Sequence, residues 1–135
     1  ESLMDPLILT DGMQIGERLY TRLTMAPLNA GEAIDAATAG EMVRFAPDGE
    51  PVIVTSPTIV STERLRRQVK QLESDDGKVM QGPIQIVDLR KMSEGDYRKL
   101  VERADQIDAL YLQRESDKGG RDEAGAGEGA DGTGA

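Results

Sequence analysis

Apolar residues recur with two different periods along this chain, and the changes of period mark its elements. From Ile15 to Met25 the pattern tends to alternate, with Leu19, Thr21, Leu23 and Met25 on one side and Tyr20, Arg22 and Thr24 on the other. That is the period of a half-buried strand. The short apolar run from Pro6 to Thr10 precedes it, and Asp11-Gly12 between them is a dipeptide suited to a tight hairpin turn. The opening of the domain therefore reads as a β-hairpin with one wet face. After Pro27 the period lengthens. Ala30, Ala33, Ile34 and Ala37 form a narrow stripe of small residues on a helix expected to run to about Phe45, with Asn29 as its N-cap and Glu32 completing a capping box. Ala46-Pro-Asp-Gly-Glu-Pro51 breaks that helix, and the β-branched run Val52-Ile-Val-Thr55 predicts a short, buried, extended piece.

Ser56-Pro57 is a helix entry, with Ser as N-cap and Pro at the first helical position. A second helix is expected from there to about Leu72, with Thr58, Thr62, Leu65, Val69 and Leu72 on one face. Arg64, Arg66, Arg67 and Lys70 occupy the rest, and Glu63 with Arg67 makes an i,i+4 pair. Ser74-Asp-Asp-Gly77 ends this helix, and Gly82-Pro83 precedes a strand-like segment carrying Ile84, Ile86 and Leu89. Ser93 and Asp96 resemble a capping box, and Met92 with Tyr97 occupies the two staple positions of a last helix. Its stripe is Tyr97, Leu100, Val101, Ala104, Ile107 and Tyr111. From Glu115 on, Gly, Ala, Asp and Glu dominate, with almost nothing to bury. The reading is a small single α+β domain: a flexible N-terminus over 1–6, a folded domain over 7–114 with an N-terminal β-hairpin and about three helices, and a disordered tail over 115–135.

Composition narrows the chemistry. The chain has no His, Cys or Trp and a single Phe, so its core must be built from Leu, Ile, Val, Met and Ala. Without His or Cys there is no imidazole general base, no thiolate nucleophile and no Cys or His zinc site. No apolar run approaches the roughly 20 residues that span a bilayer, and no signal peptide opens the chain, which predicts a soluble cytoplasmic protein. A formal net charge of -9 argues against general binding to nucleic acid or anionic membranes. Glu73, Asp75 and Asp76 lack the alternating oxygen-ligand spacing of a calcium loop and read as a solvated turn. Asp11-Gly-Met13 and Ala46-Pro-Asp-Gly49 lack the spaced glycines of a phosphate cradle. No catalytic, cofactor or metal residue emerges. What remains is a small binding protein, with Leu65, Arg66, Val69, Lys70 and Leu72 of the second helix as the expected partner face, while for any single residue of such a stripe ordinary core packing is the favoured reading.

The segment Met25-Ala-Pro-Leu-Asn-Ala-Gly-Glu32 resembles the Pro-Leu-Thr-Ala-Gly-Asp phrase near the start of the tail assembly chaperones of Mu-like phages. Asn29 stands for the Thr and Glu32 for the Asp, both preserving the capping chemistry, while Ala26 occupies a place where that family often has Arg. Pro47-Asp-Gly-Glu-Pro51, Ser56-Pro57, Leu65-Arg-Arg-Gln-Val69, and Leu89-Arg-Lys-Met-Ser93 with Asp96 are similar in order and spacing, so the resemblance covers about Leu7 to Ala109. It implies a non-enzymatic protein of the host cytoplasm, absent from the mature virion. Such a protein would bind the long, apolar, helical tape measure protein, keep it soluble and hand it to tail tube subunits. Two alternatives stay open: a structural tail or head–tail component retained in the particle, and a small regulator using the Arg64 to Lys70 face on nucleic acid.

Overall fold

The computed structural model describes residues 3–130, with side chains from 3 to 114. Its element order is β1 (Leu7–Ile15), β2 (Arg18–Met25), α1 (Ala30–Ala39), β3 (Glu41–Phe45), β4 (Pro51–Thr55), α2 (Pro57–Gln68), β5 (Val69–Ser74), β6 (Val79–Gln81), α3 (Ile86–Arg90) and α4 (Glu94–Ala130). Strands β1, β2, β5 and β6 form one antiparallel sheet in that order, and β3 with β4 forms a separate two-stranded ribbon. The α+β class and the N-terminal hairpin are as the sequence predicts. The sheet contributes Leu7, Leu9, Met13, Tyr20, Leu23, Met25, Val69 and Leu72 to the core. Leu65 from α2, Ile84 and Leu89 around α3, and Leu100, Ala104 and Ile107 from α4 close it.

The hairpin turn is not at Asp11-Gly12. β1 runs through that dipeptide, and the chain turns instead between Ile15 and Arg18, where Gly16 has φ 63°. Ile8 pairs with Arg22 and Met13 with Tyr20, so Leu9, Thr10, Asp11 and Gly12 of β1 lie opposite Thr21 alone. This large bulge uses Gly12 at φ 87°, a conformation that glycine adopts without steric cost. Smaller register shifts fall between Tyr20 and Arg22 and between Thr24 and Met25. The first lets Tyr20 and Leu23, three residues apart, both face the core, whereas Leu19 of the expected inner face is exposed.

The same effect at β5 corrects the second helix. Ser56 caps α2 as expected, its Oγ accepting from the Ile59 N–H at 3.2 Å, but the helix ends at Gln68 and not at Leu72. Val69 is extended (φ -80°, ψ 109°) and begins β5. Met25 pairs with Val69 and Thr24 with Gln71, leaving Lys70 as the extra residue. Val69 and Leu72 thereby share one buried face in a strand at a spacing that otherwise signals a helix. Ser74-Asp-Asp-Gly77 consequently turns β5 into β6, with the Gly77 N–H on the Ser74 carbonyl at 3.0 Å.

Further expectations change. α1 carries the predicted Asn29–Glu32 capping box but stops at Ala39, because Gly40 caps it and Met42 to Phe45 pair with β4. Its buried residue is Ala36, while Ile34 of the expected stripe faces solvent. Gly40 sits so close to α2 that a Cβ there would lie 2.4 Å from Val60 Cγ2. Val52 to Thr55 are extended as expected but exposed, not buried. Ile84 lies in a buried loop and Ile86–Arg90 form the short helix α3, in place of a strand-like segment. At the ends of the chain, Leu3 packs against the core and Arg103 donates to the Asp5 carbonyl at 2.8 Å, so part of the expected flexible N-terminus is tied down. The α4 backbone is described through Ala130, with side chains through Arg114. Residues 131–135 lie outside the described residues.

The Ser93 cap of α4 is half of the expected box. The Asp96 N–H donates to Ser93 Oγ at 3.2 Å, but the Asp96 carboxylate turns away from Ser93 and meets the β1 bulge. The N–H groups of Thr10 and Asp11 donate to its two oxygens at 2.8 Å each, and that of Gly12 at 3.0 Å. Asp96 is 1 % exposed. Burial pushes its carboxyl pKa up, but the three backbone donors, with the Lys99 ammonium, outweigh this and hold it below the ordinary 3.8.

A folded pKa below the unfolded one stabilises the domain above the unfolded value, and this contribution is lost as pH falls through the folded value. Asp96→Asn replaces an acceptor with an amide donor facing N–H groups and is expected to cost about 2–4 kcal/mol at neutral pH. Urea titrations from pH 7 down past about pH 4 should show wild-type stability falling at the acid end and a shallower fall in the variant. Leu100→Ala and Ile107→Ala should each cost about 2–4 kcal/mol by the same titration.

Candidate functional site

The expected partner face does not exist as a surface. Leu65 is buried and Val69 and Leu72 are fully buried in the core, because the chain leaves the helix at Gln68 and enters the central sheet. The cations beside them are engaged within the chain. Arg66 donates to Glu63 at 2.9 Å and to the Ile84 carbonyl at 3.1 Å. Arg67 shares Glu63, Arg64 lies 3.6 Å from Asp108, and Lys70 donates to Glu32 at 2.7 Å. The Lys70 hydrogen bond and the Asn29 backbone N–H hold the Glu32 carboxyl below its ordinary range. Two arginines do the same to Glu63 against the effect of burial. These pairs bind α1 to β5 and brace α2.

The Glu73, Asp75 and Asp76 turn faces the arginines of β2. Arg22 lies 3.5 Å from Glu73 and 3.7 Å from Asp75, and Arg18 lies 3.2 Å from Asp76. Among the described residues no cluster of acidic side chains is arranged to hold a metal ion, and no helix is long and apolar enough to cross a membrane.

Unsatisfied apolar surface is concentrated elsewhere, on the β3–β4 ribbon. In its register Val43 opposes Ile53 and Phe45 opposes Pro51, so these four share a face with Glu41 and Thr55 at its base. Phe45 is 72 % exposed, Ile53 70 % and Val43 57 %. The other face carries Met42, Arg44, Val52 and Val54, again largely exposed. The ribbon is held at its base: the Ser56 N–H donates to the Gly40 carbonyl at 3.0 Å, and α1 packs against α2 on either side. A shallow cavity of about 220 Å³ joins Val43 and Ile53 to Thr38 of α1. Ile34, one turn earlier on the helix face of Thr38, is also exposed. A second groove, of about 440 Å³, lies between α2, α3 and the start of α4, with Ile59, Ile86, Leu89, Met92 and Tyr97 among its walls; Leu89 belongs to the core, and Ile86, Met92 and Tyr97 pack against it. The sequence signal for the ribbon is weak: Val43 and Phe45 flank Arg44, but Met42 beside Val43 breaks the alternation, and the segment reads as the end of the preceding helix.

Residues 9–121 match the family of tail assembly protein gp41. The chain belongs to that family. It is 30 % identical over 118 residues to the Mu-like prophage FluMu protein gp41 of Haemophilus influenzae, covering 87 % of this chain and 89 % of that one. It is 33 % identical over 116 residues to the probable tail assembly protein gp41 of Escherichia phage Mu, covering 81 % of this chain and 76 % of that one. A longer phage Mu relative, the probable tail assembly protein FS-gp41, is 31 % identical over 119 residues, which make up 84 % of this chain and 60 % of that one. No solved structure matches the chain. The matched span takes in the sheet, both helices beside the ribbon, and the ribbon itself. The family is one of tail assembly proteins.

The fold predicts a separation of stability from surface. Val69→Asp places a charge at a fully buried sheet position and should unfold the domain. Phe45→Asp and Ile53→Asp should change stability by no more than about 0.5 kcal/mol, as exposed substitutions do. Circular dichroism with urea titration distinguishes the two classes.

Proposed function

We propose that this protein is a tail assembly chaperone that binds a tape measure protein, keeps it soluble and supports its delivery to the growing tail, with tail tube subunits as its second contact. The observation that carries this reading is the β3–β4 ribbon: a projecting element, anchored at its base, that leaves Val43, Phe45 and Ile53 in water. Apolar faces of a long helical polypeptide aggregate when left uncovered, and an exposed apolar ribbon supplies matching surface. Family membership supports the setting of tail assembly. The acidic balance of the chain keeps such a complex soluble. The role places the protein in the host cytoplasm and outside the finished particle. A regulator acting on nucleic acid is less well supported, because Arg64, Arg66, Arg67 and Lys70 are each paired with a carboxylate of the chain itself.

Co-expression with the tape measure protein of the same phage is expected to raise its soluble yield, and the two should co-purify. Ile53→Asp and Phe45→Asp should weaken co-purification while leaving circular dichroism unchanged. If the tape measure protein gains no solubility and does not co-purify with wild type, the chaperone role is wrong. If the protein is found at fixed stoichiometry in purified particles, it is a structural component.

A further inference from the structure

The surroundings of the β3–β4 ribbon specify the chemistry of what it binds. Residues 30 to 57 carry Glu32, Asp35, Glu41, Asp48 and Glu50 against Arg44 alone. Glu32 is neutralised by Lys70. Among the described residues, Asp35, Glu41, Asp48 and Glu50 enter no ion pair, although Asp48 accepts from the Glu50 N–H at 3.0 Å. Their placement is polar with respect to the strip. Glu41 lies at the base of the Val43, Phe45 and Ile53 face, and Asp48 and Glu50 lie in the turn at its far end. The apolar strip therefore has free carboxylates at both ends.

We propose that the ribbon's occupant is an amphipathic helix whose short apolar stripe is bracketed by Lys or Arg at both ends. The inference rests on the chaperone reading and adds the charge pattern of the recognised segment. Five strand residues span about 14 Å, and the turn carries the distal carboxylates a little further. A helix rises about 1.5 Å per residue, so cations about 11 residues apart, three turns on one face, reach both ends. Apolar contact supplies the affinity, and the flanking charges select the segment and speed its association.

The same charges disfavour the other occupants. Two copies meeting through this ribbon would bring together two sets of unpaired carboxylates with one arginine each. The chain's own segment beyond Arg114 is rich in Asp and Glu and meets the same repulsion.

The probes are two labelled 18-residue Leu/Ala/Gln amphipathic peptides, identical except for Lys or Glu at two positions 11 residues apart. Fluorescence anisotropy with the full chain at low salt should give the Lys peptide an affinity advantage on the order of tenfold, shrinking as salt rises. The triple variant E41K/D48K/E50K should invert the preference, and E41Q/D48N/E50Q should abolish it, with circular dichroism confirming both folds. Equal affinity of wild type for the two peptides, no binding of either, or a preference that survives charge reversal overturns the proposal. A wild-type dimer that Ile53→Asp converts to monomer overturns it in favour of a second copy. Co-purification of the tape measure protein is scored separately. If it holds while the peptides show no charge preference, only the bracketing charges are wrong; if it fails, the chaperone reading falls whatever the peptides do.

Discussion

The Asp96 carboxylate is the joint on which this fold depends. A bulge of four residues opposite one strips three consecutive N–H groups, those of Thr10, Asp11 and Gly12, from the β1–β2 ladder. Left buried and unpaired, such donors would cost more than the bulge could return. A single carboxylate at the start of α4 accepts all three, from more than 80 positions away in sequence. The interaction docks the helix on the sheet edge, sets Leu100, Ala104 and Ile107 over the core, and brings Lys99 to Thr10 Oγ1 at 2.7 Å. The bulge and the helix start are thus one structural unit, and neither makes sense alone.

Bulges also reconcile the sheet with a sequence that does not alternate cleanly. Tyr20 and Leu23 in β2, and Val69 and Leu72 in β5, are each three residues apart and all face inward. Each bulge adds an odd number of residues without partners, three in β1 and one at each β2–β5 shift, and so changes which side the next residue faces. The core thereby gains residues that a regular strand would have turned to solvent.

Beside this closed core the ribbon is an exception. A two-stranded hairpin is at best marginally stable on its own, yet β3 and β4 spend nearly all their apolar side chains on solvent. It persists because its two ends enter α1 and α2, which pack closely enough to leave no room for a side chain at Gly40. Stability comes from the helices at its base, so the ribbon's surface is free to serve a partner. This division suits the chaperone role proposed above, in which the domain stays folded while its ribbon is covered and uncovered.

The sequence by itself determined what local chemistry can determine: the α+β class, the absence of His and Cys chemistry, the Asn29 box and the Ser56 cap of α2, the stripe of α4 through Ile107, and the wording that points to the family. Those features act over three or four residues, and their meaning survives without neighbours. Only the tertiary structure decided where α2 gives way to β5, that Asp96 leaves its own cap for the β1 bulge, and that Leu65, Val69 and Leu72 are core while Val43, Phe45 and Ile53 are surface. An i,i+3 apolar spacing fits a helix or a bulged strand equally well, and a β-branched run looks the same buried or bare. What separates them is which remote strand or helix covers the segment, a property of the whole chain rather than of the segment.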